Sequence, residues 1–275
     1  MTRMCEVLGV STSGYYAWRA REASPRAQAN ALLQTRIKEV YEQSRQVYGA
    51  RRVYHALKAQ GVQTSQKRVT RLMRIKGWQG RHKRKKVRTT TPADHLPTVP
   101  NHLKQEFTAQ APDQIWTGDI TYIETQEGWL YLAVVLDVFS RKIVGWAMSA
   151  DLTHAFVLRA FQMAWQQRQP APGLLFHSDR GSQYAAHIYR AYLETRGVRR
   201  SMSRTGNCYD NAITESFFGR LKTEWVAHKQ YATRHEARTD LFEYIEVFYN
   251  RSRLHSALGY LSPVQFEMQF TSGLN

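Results

Sequence analysis

Cysteine is scarce: Cys5 and Cys208 are the two in 275 residues, too few for a disulfide framework or a cysteine-based zinc cluster. They do not form a Cys-x-x-Cys pair, so inert thiols in a reducing compartment are expected. Long apolar runs are missing as well. The longest, WLYLAVVL at 129–136, ends at Asp137, far short of the roughly 20 residues that span a bilayer. No apolar segment of the secretory kind opens the chain. The expectation is therefore an intracellular protein with no membrane partner.

Acidic residues are scarce in one part of the chain only. Residues 1–100 hold 21 Lys and Arg against 5 Asp and Glu, while 101–275 hold 18 against 17; the net charge of +17 is thus +16 in the first part and +1 in the second. A basic module joined to a balanced one suggests a tether for nucleic acid attached to an enzyme. On charge alone, ribosome-type binding is the lesser alternative. The 43% hydrophobic and 12% aromatic content argues for a folded chain rather than a disordered one.

Residues 1–78 read as helices. In ALLQTRIKEVYEQ (31–43), Leu33, Ile37, Val40 and Tyr41 fall on one helical face. Gly49 separates this from ARRVYHALKA. A third helix is predicted from the N-cap Ser65 to Lys76, closed by Gly77. Its stripe Val69, Leu72 and Met73 faces inward, and Lys67, Arg68, Arg71 and Arg74 point largely away. With Lys76 these are five cations in twelve residues without an acid. DNA contact is the reading they favour over a merely solvated face. A shorter fragment, CEVLGVSTSGYYAWR, also resembles a helix-turn-helix with Gly9 at its turn. Residues 79–112 read as a linker: RHKRKKVR at 81–88 is followed by TTTPADHLPTVPNH. Its cations Arg81, Lys83, Arg84, Lys85 and Lys86 can lie along phosphates.

From 113 the pattern changes. QIWTGDITYIE, GWLYLAVVLDVF and KIVGWAMS are three strand-like runs with short connections. A helix at about 153–168, a strand at 173–179, a helix at about 184–196, a strand around VRRSMS and a helix around 210–227 follow. That order is the ribonuclease-H-like one. The expected class is α/β: a mixed five-stranded sheet flanked by helices, with a C-terminal helical extension, preceded by a small all-α helix-turn-helix domain.

Phosphodiester chemistry with two metal ions needs carboxylates that hold hard cations about 3.5–4 Å apart. Asp119 lies within an apolar strand, where a carboxylate is costly unless paired or bound to metal. Asp179 ends the strand GLLFHSD, and by itself has a helix-capping or turn residue as its alternative reading. On the helix ITESFFGRLKTEW, Phe217, Leu221 and Trp225 form the buried stripe, and Glu215, Gly219 and Lys222 share another face. Glu215 by itself reads equally as a solvated acid.

Thirty-five residues separate Asp179 from Glu215, and Lys222 follows Glu215 by seven. With WTGDITYI, LDVFSRKIVGW, HSDRGSQY, NCYDNAITESFFGRLKTE and YNRSRLHSALGYLSP, the chain resembles insertion-sequence transposases of the IS-three type. The likeness is to their second-reading-frame product, which has a retroviral-integrase-like core. The resemblance implies that Asp119, Asp179 and Glu215 are metal ligands and that Lys222 contacts the DNA end. It implies Mg²⁺, with Mn²⁺ as substitute, and cleavage and strand transfer at the ends of an insertion sequence without a covalent protein–DNA intermediate. The implied partners are terminal repeats and target DNA, further copies of this chain on DNA, and the first-reading-frame protein, by fusion or association. A cytoplasmic, nucleoid-associated protein follows. Asp137, His177 and Asn207 are candidates for supporting roles around the acids. Asp210 reads as a helix N-cap, and His255 as a DNA contact or a lock on the C-terminal segment. The zinc-binding His/Cys module of retroviral integrases has no counterpart, nor has the upstream leucine zipper of fusion transposases. A nuclease that cuts without joining, and a DNA-binding regulator with a decayed catalytic domain, are the alternatives.

Overall fold

The computed structural model describes residues 1–81, 109–179, 181–202 and 212–273. The chain divides into two compact units, Met1–Gly80 and Arg81–Asn275.

The first unit is helical: α1 (Thr2–Val7), α2 (Thr12–Ala20), α3 (Pro25–Gln43), α4 (Ala50–Ala59) and α5 (Gln66–Ile75). The apolar stripes predicted from spacing are buried: Leu33, Ile37, Val40 and Tyr41 on α3, and Val69, Leu72 and Met73 on α5. They close around Val53 and Leu57 of α4. Helix α3 starts six residues before the predicted segment. There Ser24 caps the amide of Ala27 and Pro25 stands in the first turn, where its missing N–H is no loss. Ser65 caps α5 through the amide of Arg68, and Gly77 takes φ +69° just beyond it. The Tyr41 hydroxyl donates to the Gln79 carbonyl at 2.8 Å and ties the chain after α5 back to α3.

The second unit is built on a five-stranded sheet in the order β3-β2-β1-β4-β5. The strands are β1 (Ile115–Thr125), β2 (Gly128–Asp137), β3 (Ile143–Ser149), β4 (Leu175–Ser178) and β5 (Arg199–Met202). The first three form an antiparallel meander, and β4 and β5 join parallel to β1. Helix α6 (His154–Arg168) buries Phe156, Val157, Ala160, Phe161 and Ala164 against one face. Trp116 belongs to that core, so Thr117 faces the other side by strand alternation. There it meets α9 (Ala212–Glu224) through a Thr214–Thr117 hydroxyl hydrogen bond of 2.7 Å.

The helix expected at about 184–196 is two helices, α7 (Ser182–Ala185) and α8 (His187–Glu194). Ala186 between them is extended, at φ −58° and ψ 136°. The break lets both Tyr184 and Tyr189 enter the core, where their rings meet at 5.6 Å. The C-terminal extension comprises α10 (Arg234–Phe242), a π-helical stretch Glu243–Tyr249, and α11 (Pro263–Thr271). It is fastened to the sheet by polar groups. The Asn250 amide exchanges two 2.9 Å hydrogen bonds with the Ile143 backbone, as a neighbouring strand would. Glu267 on α11 pairs with Lys142 and Arg168, and Arg168 also with Asp113.

Candidate active site

The parallel register of β1 and β4 sets two of the acids. Its last pair is Gly118 with Ser178, so Asp119 and Asp179 are the next residues on neighbouring strands. There β4 ends while β1 runs on to Thr125. The third acid arrives from the helix. Thr214, buried against Thr117, is the residue before Glu215, which brings Glu215 to the same stretch of β1.

The electrostatics record the convergence. The Asp119 carboxyl is held well above the usual carboxylate range, chiefly by burial and then by the charge of Asp179. Glu215 pushes the same way, whereas the Ile120 amide, 2.7 Å from Oδ1, and Lys222 oppose it. Burial also raises Asp179, against a 3.0 Å hydrogen bond from the Gly181 amide. Asp119 thus feels the other two acids and Lys222 together.

Lys222 takes a course that the helical spacing does not reveal. Its Nζ lies over the Tyr122 ring, 4.6 Å from the centroid. Tyr122 in turn stands edge-on to Trp129 at 5.0 Å, and both rings are exposed. Glu215 and Gly219 line an open hollow of about 330 Å³ with Ala212, Ser216, Arg220 and Thr223. The cation of this hollow is Arg220, one residue beyond Gly219 and so outside the face that Glu215, Gly219 and Lys222 share by spacing.

The other predicted residues are dispersed. Asp137 is fully buried, and its oxygens accept the Asp113 amide at 2.9 Å, the Ser140 amide at 2.8 Å and the Ser140 hydroxyl at 2.7 Å. Those bonds fasten the end of β2 to the chain entering β1. His177 is buried on β4 with Nδ1 2.9 Å from the Ser201 hydroxyl of β5. His255 is buried and packs edge-on against Tyr249. In the first unit Lys67, Arg71 and Arg74 line one exposed face of α5 with Gln66 and Thr70. Arg68 is turned inward, and its Nε donates to Asn30 of α3 at 2.9 Å. Arg81 donates to the Glu224 carbonyl at the end of α9. Lys83, Arg84, Lys85, Lys86, Asn207 and Asp210 lie outside the described residues.

Two groups escaped the sequence reading. Glu224 and Arg253 form a buried ion pair with two 2.6 Å contacts, anchoring the last turn of α9 to the C-terminal segment. YNRSRLH, with several polar residues in seven, was the available signal. Tyr184 was the other, and no spacing marks it.

All the candidate ligands are carboxylates, a donor set suited to hard divalent cations. Burial raises the pKa of Asp119 and Asp179, and a divalent cation beside them would favour their ionised forms. Among the described residues, no three His, Cys, Asp or Glu side chains stand close enough together to hold a metal ion as they are.

Two models described as integrase core domain match residues 109–208 and 215–270, and one described as HTH-like domain matches 27–86. The Shigella sonnei insertion element IS600 31 kDa protein is 45% identical, covering 97% of this chain and 98% of its own. Transposase InsF of insertion sequence IS3A from Escherichia coli K12 is 43% identical, covering 96% and 92%. A chain of the simian T-cell lymphotropic virus intasome aligns over 84% of this chain and 74% of its own, with 16% identity and a TM-score of 0.49. With relatives 43–45% identical over nearly its whole length, the chain belongs to the IS-three (IS3) family of insertion-sequence transposases.

Proposed function

We propose that this chain cuts the ends of an insertion sequence and joins the freed 3′-hydroxyl to target DNA, with Asp119, Asp179 and Glu215 as ligands for divalent cations. The observation that carries this reading is the convergence of three acids from three elements beside β1 at the point where β4 ends, with Asp119 in the field of the other two. Two Mg²⁺ ions, or Mn²⁺ in their place, would activate the attacking oxygen and stabilise the leaving one. Asp119 and Asp179 hold the strand-end side of the site and Glu215 the helix side. Lys222 offers a charge for a phosphate beside them. Gly219 leaves the helix surface without a side chain, so a DNA backbone can approach next to Glu215.

The N-terminal region 1–78 acts as the DNA-binding module, 79–112 as a basic tether, and 113–275 as the catalytic core. Lys67, Arg71 and Arg74 meet phosphates along one helix face. Joining two DNA ends calls for at least two copies of the chain, and the first-reading-frame protein is the natural associate. Among the described residues no helix is long and apolar enough to cross a membrane. Nucleoid association would follow from DNA binding.

The test is incubation with Mg²⁺ and duplexes carrying the element's terminal repeats, scoring cleavage and joining separately. Asp119→Asn, Asp179→Asn and Glu215→Gln are each expected to abolish both products. Joining preserved in all three would overturn the assignment, and cleavage without joining would reduce it to a nuclease.

A further inference from the structure

Tyr184 sits on α7, five residues past Asp179, with its side chain 2% exposed. Its hydroxyl is buried and, among the described residues, has no hydrogen-bond partner. The ring packs against Phe176 and Tyr189, contacts that a phenylalanine would make equally well. An unsatisfied buried hydroxyl is destabilising, so packing does not account for the oxygen.

Its location does. The hydroxyl lies 3.4 Å from where a Cβ on Gly118 would stand, against β1 at the residue before Asp119. A Cβ there would also meet Phe176 at 2.5 Å. Glycine at 118 therefore lets the tips of both rings reach the strand directly beside the acids. Beyond burial, the charges that most raise the phenol's pKa are Asp179 and then Asp119. Tyr189 supplies the contrast: its hydroxyl is also buried without a partner among the described residues, but the charge it feels is Arg200.

We propose that Tyr184 is a positioning residue, whose hydroxyl donates a hydrogen bond to the Asp179 carboxylate when the acids gather around a cation. Oδ1 of Asp179 is already fixed by the Gly181 amide at 3.0 Å. A second donor, reaching in beside Gly118, would set the plane of the carboxylate toward the cation. Outer partners of this kind orient metal ligands and tune affinity. The inference rests on the acids being cation ligands.

The experiment uses the full-length chain and follows its melting temperature while Mn²⁺ or Mg²⁺ is titrated. Tyr184→Phe removes one oxygen. Without cation it is expected to melt at or above wild type. The cation concentration at half-maximal stabilisation should rise about 10-fold, and joining should fall at limiting cation. Tyr189→Phe should leave that midpoint unchanged. A midpoint for Tyr184→Phe within twofold of wild type overturns the proposal, as does a lower cation-free melting temperature, because the hydroxyl would then serve the fold. Asp119→Asn, run in parallel, separates the two readings. If it keeps wild-type cation response and joining, the ligand assignment itself fails. If it loses both while Tyr184→Phe does not, only the role of Tyr184 is lost.

Discussion

At the scale of single residues, the acids divide by what surrounds them. Asp119 and Asp179 have pKa values raised by burial, and Asp119 further by its neighbours. An acid whose folded pKa exceeds its unfolded one binds more protons when folded. It therefore favours the fold at low pH, and that contribution is lost as pH rises through the folded value. A cation requires the ionised forms and expels those protons. Mg²⁺ affinity is thus expected to rise with pH, with proton release visible by calorimetry in two buffers of different ionisation enthalpy. Affinity flat with pH and no released protons would contradict this. Asp137 is raised to about 6, by burial against three hydrogen bonds that lower it. By the same sign, wild type should lose stability relative to Asp137→Asn between pH 4 and 7 in urea unfolding. A gap that stays constant would mean the three donors offset burial completely. Asp119, Asp179 and Glu215 could be proposed together from the sequence because an acid in an apolar strand, one at a strand end and one on a helix fit a single chemistry. Tyr184 was not, since a tyrosine among aromatics reads as core until the position of its oxygen is known.

At the scale of elements, the meander and α6 were legible because β-branched alternation and short turns leave few other readings. The break at Ala186 was not, because it carries neither proline nor glycine and follows from burying Tyr184 and Tyr189 together. The anchoring of α9 was also hidden, as it depends on groups far apart in sequence. Glu224 and Arg253 are both nearly inaccessible, so removing one partner strands a buried charge. Arg253→Met should lower stability by about 3–5 kcal/mol, and adding Glu224→Gln should recover much of it; denaturant midpoints measure both. An additive double variant would argue against direct pairing. Strand β3 meets α6 at Gly145, where a Cβ would stand 2.2 Å from the Ala160 carbonyl and 2.7 Å from the Ala164 amide. Backbone cannot yield as a side-chain tip can. Gly145→Ala is expected to cost about 1–3 kcal/mol, and a neutral result in the same unfolding measurement would contradict the close approach.

At the scale of the whole molecule, the division of labour follows from charge. Nearly all the excess cation lies in the first hundred residues, whereas Asp119, Asp179 and Glu215 all lie in the second unit. Binding and chemistry should therefore be separable by mutation. Lys67, Arg71 and Arg74 share an exposed face of α5, and Arg68 is bonded to Asn30 and contributes to the packing of α5 on α3. Each phosphate contact adds about 0.9 to the slope of log affinity against log salt. Changing Lys67, Arg71 and Arg74 together to alanine should lower that slope by about 2 to 3 in titrations of the full chain with terminal-repeat duplex. Asp119→Asn should leave the slope unchanged while abolishing joining. If the triple variant binds with the wild-type slope, the phosphates are held elsewhere. If it loses affinity evenly at every salt concentration, α5 acts by shape rather than charge. A loss of slope confined to the triple variant would place the electrostatic grip on α5 and leave the carboxylates to the bond that is cut.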